Sequence, residues 1–470
     1  MSHLMQENRW PHDPAAAWLA YEPNPQDPWD LAKVLRLHRR AGFGATWAEA
    51  QRDLADGHQA AIARMLDGAP LGPDGRPAAA IDAFTGAMFE SYRTSPSALD
   101  PIRMAWFYRL IFTAWPLRER MLLAWHTHYA TSETRVYEKS TLIEQHLKQR
   151  ELWRSPVSKL HLAMLRDPAM LRWLDGTSNL RGAPNENLGR EFLELFALGV
   201  GNYDESDVRE AARALTGWQY VSERRPPLKY MPSLHDTSEK TVLGQTGAWA
   251  DEDLARIACA HPAATQRIAW RLWRTFISDV DEPSPELLEG LAASMRADGD
   301  VDVARGLEVL LRSRLFHSDA YAGRRVMSPV EWTVSVVRSG QTFPPHPNLI
   351  EVVAAADRMG QRLFMPPNVA GWPGGLEWLS DPALVARQNF AAWLTSDEST
   401  VAADHWQKLT EKYGVLGAEA ELDLWTALFW GRLPDDEERA ALSEQLRTDD
   451  PAARAATVAA LLSAPDAQLA

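Results

Sequence analysis

Cysteine is nearly missing from this sequence of 470 residues, which has only Cys259. One cysteine cannot form an intrachain disulfide, and it cannot build a cysteine-based zinc site, an iron–sulfur site or a Cys-x-x-Cys redox site. The apolar neighbours of Cys259 predict a small buried side chain rather than a nucleophile. The lack of disulfides fits a cytoplasmic compartment, and export without disulfides stays open as the alternative.

Long apolar runs are missing as well. No stretch of about 18 apolar residues occurs, so the sequence predicts no membrane span. Residues 1–30 lack the apolar segment of a secretory signal peptide, which again predicts a cytoplasmic protein. The net charge of −14, from 49 Lys and Arg against 63 Asp and Glu, argues against broad nucleic-acid binding.

The common short motifs of nucleotide binding and catalysis do not occur. The sequence has neither a phosphate-binding Gly-x-x-x-x-Gly-Lys-Ser/Thr loop nor a Gly-x-Gly-x-x-Gly motif between a strand and a helix, so we expect no nucleotide cofactor. It also lacks the Gly-x-Ser-x-Gly elbow of serine hydrolases and the His-Glu-x-x-His signature of zinc proteases.

Helical periodicity runs through almost the whole chain, and strand-like alternation is scarce. Acidic or Ser residues directly before Pro predict helix starts, because the side chain can accept an orphan backbone N–H and Pro lacks one. These helix starts are predicted at Asp100, Ser155, Asp167, Ser328, Asp381 and Asp450. Val242 and Leu243 predict a short hairpin. We therefore expect an all-α fold of about fifteen or more helices.

The predicted fold is a large irregular multi-helix domain with a small helical C-terminal extension. We divide the chain into a polar N-terminal extension (1–29), a helical core domain (30–395) and an acidic, Ala-rich C-terminal subdomain (396–470).

Long loops in a compact helical protein are more often functional than accidental. Three such loops are predicted, at 175–187, 220–249 and 365–375.

Seven segments of the chain together resemble one known family. They are His-Arg-Arg-Ala-Gly-Phe-Gly at 38–44, Trp-His-Thr-His-Tyr at 125–129, Gly-Ala-Pro-Asn-Glu-Asn-Leu-Gly-Arg-Glu at 182–191, Leu-Gly-Val-Gly-Asn-Tyr at 198–203, Ala-Leu-Thr-Gly-Trp at 214–218, His235-Asp236, and Pro-Asn-Val-Ala-Gly-Trp-Pro-Gly-Gly at 367–375. In this order they resemble the bacterial domain-of-unknown-function 1800 family, over residues 30–395.

The resemblance implies a large helical bacterial protein with no settled activity. Such proteins are often encoded beside a member of the domain-of-unknown-function 1501 family, which the resemblance therefore implies as a protein partner. The chain departs from the family pattern in two places: Thr127 stands where the family usually has Asn, and Met327 stands where Lys is common. Many relatives also carry export signals, which this sequence lacks.

Two glutamates on one predicted helix are the first candidates for chemistry. Placed on a helical wheel, Glu191 falls inside the apolar arc and Glu194 falls on its margin. A carboxylate on a buried face costs free energy unless it is paired or bound to a metal. We therefore predict that the two form a metal-binding or acid–base pair. The alternative is a buried salt bridge from Glu191 to Arg213 or Arg39.

Two neighbours of these glutamates complete the predicted catalytic group. Arg190 directly precedes Glu191, and Asn185 lies just before the helix. Two roles are open for Asn185: it caps the helix, or its amide and the positive helix end face an anionic ligand.

Two histidines, His126 and His128, are predicted metal ligands. On an uninterrupted helix they point to opposite sides, and His128 lies in the centre of the apolar face. They can share one metal only if the helix ends near Trp125, because residues i and i+2 share a face in an extended segment. The alternative is that His128 is a core histidine with one hydrogen-bonded nitrogen.

Further candidates lie in the predicted loops. His235 and Asp236 are additional predicted metal ligands, since loops often carry functional residues. Of the 20 Trp residues most occupy apolar helix arcs, but Trp218 and Trp372 stand at a helix end and in a Gly/Pro loop. We predict that these two, together with Asn368, contact a ligand or a partner.

The sequence thus predicts a helical protein that binds a divalent metal, which we expect to be Zn, Fe or Mn, and that performs metal-assisted hydrolysis. His126, His128, Glu191, His235 and Asp236 would hold the metal. One alternative is a non-catalytic interaction protein that acts with the partner encoded by a neighbouring gene. A haem protein is the other alternative, because His lies on apolar helix faces near Trp.

Overall fold

Helices make up most of the chain in this computed structural model, which describes residues 10, 13–94, 99–221, 227–343, 348–396, 399, 401 and 404–470. The predicted N-terminal extension thus lies partly outside the described residues, as do residues 222–226 of the second predicted loop. The described part contains 24 α-helices and three pairs of short strands. The prediction of an all-α protein with fifteen or more helices is confirmed.

The first twelve helices are α1 (Pro14–Ala17), α2 (Leu31–Ala41), α3 (Trp47–Asp56), α4 (His58–Asp67), α5 (Ala78–Thr94), α6 (Asp100–Phe112), α7 (Pro116–His128), α8 (Lys139–Glu151), α9 (Val157–Leu165), α10 (Pro168–Trp173), α11 (Asn187–Glu191) and α12 (Glu205–Ala214). The others are α13 (Asp251–Ala260), α14 (Pro262–Phe276), α15 (Pro285–Met295), α16 (Val303–Arg312), α17 (Arg314–His317), α18 (Pro329–Ser339), α19 (Leu349–Arg358), α20 (Asp381–Leu394), α21 (His405–Lys412), α22 (Ala418–Trp430), α23 (Asp436–Ser443) and α24 (Pro451–Ser463).

The strands form three antiparallel two-stranded pairs. They are β1 (Trp218–Tyr220) with β2 (Leu228–Tyr230), β3 (Lys240–Val242) with β4 (Gln245–Gly247), and β5 (Arg296–Ala297) with β6 (Asp300–Val301). The hairpin predicted at Val242 and Leu243 is β3–β4. Its turn residues Leu243 and Gly244 both have positive φ, at 48° and 75°, as the commonest two-residue hairpin turn requires.

Three of the six predicted helix starts are N-caps. Asp167 accepts a hydrogen bond from Met170 N, Asp450 accepts one from Ala452 N, and Ser328 forms a capping box with Glu331. The predictions at Asp100, Ser155 and Asp381 are displaced by one residue. Asp100 and Asp381 are the first residues of α6 and α20, and Pro156 occupies the N-cap position of α9 in place of Ser155.

Two large hydrophobic clusters form the core, and α7 lies between them. Its Leu117, Met121 and Trp125 belong to a cluster built mainly from residues 117–321. Its Leu122 and Leu123 belong to a second cluster that runs from α5 and α6 through α18 to α24. Polar side chains of α7 therefore lie at the junction of the two clusters, where the candidate site is found.

The C-terminal stretch 396–470 contributes to the second cluster. Trp425 and Leu461 share this cluster with Trp106 of α6. The chain end also pairs with the segment before α18, where Ala470 N donates to Arg325 O at 2.8 Å. The division of the chain at residue 395 stays a prediction.

None of the described helices combines the length and the apolar character that a bilayer crossing requires.

Candidate functional site

The helix α7 continues without a break to His128, so the two predicted histidine ligands point to different surroundings. His126 Nε2 accepts a hydrogen bond from Phe364 N at 3.0 Å. His128 Nε2 lies 3.1 Å from the carbonyl oxygen of Phe196. The helix end near Trp125 that shared metal binding would need does not occur in the structure.

Both histidines are neutral. Burial, together with the charge of Arg103, lowers the pKa of His126 to about 3. Burial, together with the charges of Arg271 and Arg267, holds the pKa of His128 well below its ordinary value. Neutral rings can act as hydrogen-bond acceptors or as metal ligands through their free nitrogen.

The helix of the two glutamates changes its winding after Glu191. Residues Phe192–Ala197 form a π-helical turn directly after α11. Its last carbonyl oxygens have no helical partner and accept hydrogen bonds from side chains. Leu195 O accepts from Arg267 at 2.9 Å, and Phe196 O accepts from His128. This turn therefore orients His128.

The predicted pair Glu191 and Glu194 lies in a partly exposed setting. Glu194 Oε2 accepts a hydrogen bond from the Tyr203 hydroxyl at 2.7 Å. Burial and the negative charge of Glu194 raise the pKa of Glu191. The structure does not show the alternative salt bridge, because Arg213 pairs with other carboxylates and Arg39 donates to Phe429 O.

Asn185 and Arg190 hold the start of α11 in place. Asn185 Oδ1 accepts from Asn187 N at 3.0 Å, and its Nδ2 donates to Ser178 Oγ at 2.7 Å. Arg190 forms two hydrogen bonds of 2.7 Å with Glu205. Asn185 therefore binds the first backbone N–H of α11, but the N-cap position belongs to Glu186, and Arg190 is engaged in a surface ion pair.

His235 and Asp236 lie between α12 and β3. His235 is buried and its Nδ1 lies 2.9 Å from the carbonyl oxygen of Thr216. Asp236 accepts a hydrogen bond of 2.7 Å from Arg213 Nε, and this guanidinium lowers the pKa of the carboxyl group. Both residues thus contact the end of α12.

The three predicted contact residues have different surroundings. Trp218 Nε1 donates to Asp251 Oδ2 at 2.9 Å, and Asn368 Oδ1 accepts from Ala370 N within its own turn. Trp372 is buried, and its ring centroid lies 5.6 Å from that of His126.

Within the described ranges, no group of three or more His, Cys, Asp and Glu side chains is arranged to hold a metal ion. The metal site, the haem alternative and the partner of the domain-of-unknown-function 1501 family stay predictions.

A pocket that the sequence did not predict lies beside His128. We call it the arginine pocket. It has a volume of about 130 Å³ and lies among α7, α14, the start of α18 and the loop 372–378. Its charged lining residues are Arg120, Arg271, Arg274, Arg325, Asp279 and Glu331. Four guanidinium groups against two carboxylates leave an excess of two positive charges.

The two carboxylates of the arginine pocket are already engaged. Glu331 binds Arg325 through two hydrogen bonds of 2.7 and 2.6 Å and also contacts Arg120. Asp279 accepts backbone hydrogen bonds of 2.9 Å from Val326 N and Gly375 N. Neither carboxylate is left to neutralise the arginines of α14.

Arg271 is the least satisfied of the four arginines. Its side chain is half-buried, its Nε has no hydrogen-bond partner, and it forms no ion pair with a described residue. Burial, together with the charges of Arg267 and Arg274, lowers its pKa to about 9. Arg274 has only a 3.6 Å contact with the exposed Glu282. The pocket therefore lacks negative charge where these two arginines lie.

The loop after α19 closes one side of the arginine pocket. Gly371 has a φ of 84° and packs so closely on Thr127 that a Cβ would overlap the Thr127 carbonyl oxygen. This contact places Trp372, Pro373 and Gly374 against the pocket, where Trp378 joins them. Trp372, which the sequence singled out, is thus a wall of the arginine pocket.

One family profile matches most of the chain. The family is described as "Protein of unknown function (DUF1800)", and the match covers residues 36–469. The chain belongs to the DUF1800 family. No curated protein and no solved structure matches it.

The DUF1800 match includes every residue that lines the arginine pocket, and it continues beyond residue 395, where the resemblance was predicted to end. One sequence signal could have revealed the pocket in this DUF1800 protein. Arg267, Arg271 and Arg274 follow the spacing i, i+4, i+7 and therefore share one face of α14. Acidic residues are absent from that face, so the stripe has no partner within its own helix.

Proposed function

We propose that this DUF1800 protein binds a small anion in the arginine pocket. The observation that carries the proposal is Arg271 in the pocket wall, whose Nε has no hydrogen-bond partner and which forms no ion pair with a described residue. Arg271 is half-buried, and holding a guanidinium partly out of water without a counter-charge costs free energy. An anion that binds beside Arg271 and Arg274 removes this cost and gains charge-assisted hydrogen bonds.

The chemistry and size of the pocket favour an oxyanion. Guanidinium groups bind the oxygens of carboxylates and phosphates through paired hydrogen bonds. Thr127, Ser328 and Gln361 also line the pocket and add neutral polar groups. The volume of about 130 Å³ accommodates an anion of the size of phosphate.

Arg271→Gln tests the proposal. We expect the wild-type protein to bind phosphate, sulfate or a small carboxylate in calorimetric titrations at constant ionic strength, and the variant to bind at least about tenfold more weakly. Without the anion, Arg271→Gln should be more stable than the wild type by about 1 kcal/mol, because it removes a half-buried charge that has no ion pair with a described residue.

Arg256→Gln is the matched control, because Arg256 is an exposed arginine of α13 outside the pocket. Its affinity should stay within about twofold of the wild type. An unchanged affinity in Arg271→Gln would contradict the proposal, as would a wild-type protein that binds none of these anions.

We keep the divalent-metal function as a second proposal, supported by the two neighbouring carboxylates. Glu191 and Glu194 lie close enough for the charge of one to raise the pKa of the other, as paired ligands of a cation would. Elemental analysis of the purified protein should then find a bound metal that Glu191→Ala loses. A wild-type protein that binds no Zn, Fe or Mn on titration would contradict it.

A further inference from the structure

His128 presents one nitrogen to the protein and leaves the other without a partner. Its Nε2 lies 3.1 Å from Phe196 O, and a backbone carbonyl can only accept a hydrogen bond. Nε2 therefore carries the proton. Because the ring is neutral, Nδ1 is an acceptor.

The free acceptor belongs to a residue of the arginine pocket. His128 is 2% exposed, and its Nδ1 is buried without a hydrogen-bond partner. His128 lines the pocket together with Arg271, whose charge also acts on this ring. The pocket thus contains guanidinium donors that lack a counter-charge, and its lining includes an imidazole nitrogen that lacks a hydrogen-bond donor.

His317 has the same local chemistry outside the pocket. Its Nε2 lies 2.8 Å from Leu311 O, it is buried, and its Nδ1 has no partner. It lies at the end of α17 and does not line the arginine pocket. A free Nδ1 alone therefore does not mark a site. His128 differs from His317 in that it lines the arginine pocket.

We propose that the ligand of the arginine pocket is an oxyanion that also carries a hydroxyl group, and that His128 Nδ1 accepts the hydrogen bond of this hydroxyl. The inference rests on the proposed anion binding and specifies its ligand. Hydrogen phosphate and short α-hydroxy acids have this chemistry. Sulfate and simple carboxylates have the charge but no hydroxyl, and they would face Nδ1 with a second acceptor.

The test compares two pairs of probes at pH about 7: phosphate with sulfate, and glycolate with acetate. We expect the hydroxyl-bearing member of at least one pair to bind at least about tenfold more tightly, because a buried acceptor left unpaired penalises the ligand without a donor. Equal affinities within both pairs would overturn the inference.

His128→Phe removes the acceptor and keeps a ring of similar shape. In this variant we expect the preference for the hydroxyl-bearing anion over its hydroxyl-free counterpart to fall below about twofold. The affinity for sulfate or acetate should be retained. His317→Phe is the matched control and should keep the full preference. A His128→Phe protein that still prefers the hydroxyl-bearing anion contradicts the assignment.

Nitrogen NMR of the wild-type protein gives a second readout that needs no variant. The His128 Nδ1 resonance should shift upfield when the preferred anion is added and should stay in place with its hydroxyl-free counterpart. A resonance that moves equally with both would overturn the inference.

The two proposals fail in different ways. If no probe of either pair binds, the arginine pocket is not an anion site. If all probes bind equally and Arg271→Gln abolishes their binding, anion binding stands and only the role of His128 falls.

Discussion

Several buried arginines in this protein are bound by groups far away in the sequence. Arg338 donates to the carbonyl oxygens of Ile111 and Thr113 and to Glu49, and Arg387 donates to Met327 O and Gln468. Such contacts offset the cost of removing a guanidinium from water. Arg271 shares with Arg338 and Arg387 an Nε that has no partner, and it differs in lining the arginine pocket.

Asp167 carries a prediction at the scale of one residue. It is buried, accepts hydrogen bonds from Gln145 and Met170 N, and its pKa is raised by burial to about 7. The folded state thus holds a proton that the unfolded chain releases near the ordinary Asp pKa of 3.8. The free energy of unfolding should therefore fall as the pH rises from about 4 to about 7.

Asp167→Asn should remove this pH dependence, because an amide stays neutral and still accepts from Met170 N. Above pH of about 8 we expect the variant to be more stable than the wild type by about 2–4 kcal/mol, measured by denaturant unfolding. Asp450→Asn, at an exposed N-cap, is the control and should change little. A wild type whose stability does not fall over this pH range would refute the raised pKa.

At the scale of elements, loops and helix ends decide where the pocket residues lie. The π-helical turn after Glu191 leaves carbonyls for Arg267 and His128, and the Gly371 turn sets Trp372 against the pocket. A helical wheel with a constant step fails beyond Glu191, because a π turn has a different period.

Gly371→Ala tests the contact between the loop and α7. The glycine has a φ of 84°, and a new Cβ would overlap the Thr127 carbonyl, so the loop must move away. We expect a loss of about 3 kcal/mol in the free energy of unfolding and weaker anion binding.

The matched control is Gly201→Ala, since Gly201 has a φ of 88° and no atom within 4 Å of the new Cβ. This variant should lose only about 1–2 kcal/mol in the free energy of unfolding, because alanine is strained at a positive φ. Its anion affinity should be unchanged. Equal losses in both variants would mean that the Thr127 contact contributes nothing.

At the scale of the whole molecule, the residues beyond 395 contribute to the core and contact a segment that lines the pocket. Val326 pairs with Leu469 in an isolated bridge, and Arg387 of α20 donates to Gln468. Arg325, which lines the pocket, has its carbonyl bound by Ala470 N. The position of Arg325 therefore depends on the chain end.

A chain that ends at residue 395 should lose cooperative thermal unfolding, because Trp106 and Trp332 would lose the side chains of α22 and α24 that share their cluster. It should also lose anion binding. Circular dichroism and calorimetry check this prediction. A truncated chain that still unfolds cooperatively near the wild-type temperature would instead support an independent subdomain from residue 396 onward.

Local patterns in the sequence predicted the helical class, the caps at Asp167, Ser328 and Asp450, and the β3–β4 hairpin. These features depend on neighbours within a few residues, so spacing and residue type suffice to predict them. The displaced starts at Asp100 and Asp381 show the limit of that approach, because an adjacent residue can occupy the cap position equally well.

The sequence by itself therefore determined the helical architecture and the membership of the DUF1800 family. Only the tertiary structure decided which side chains meet. Arg120, Arg271 and Arg325 come from segments far apart in the chain and line one pocket, whereas His126 and His128, two residues apart, face different surroundings. The physical reason is that burial and pairing of charges depend on distance in space, and spacing along the chain sets that distance only within one element.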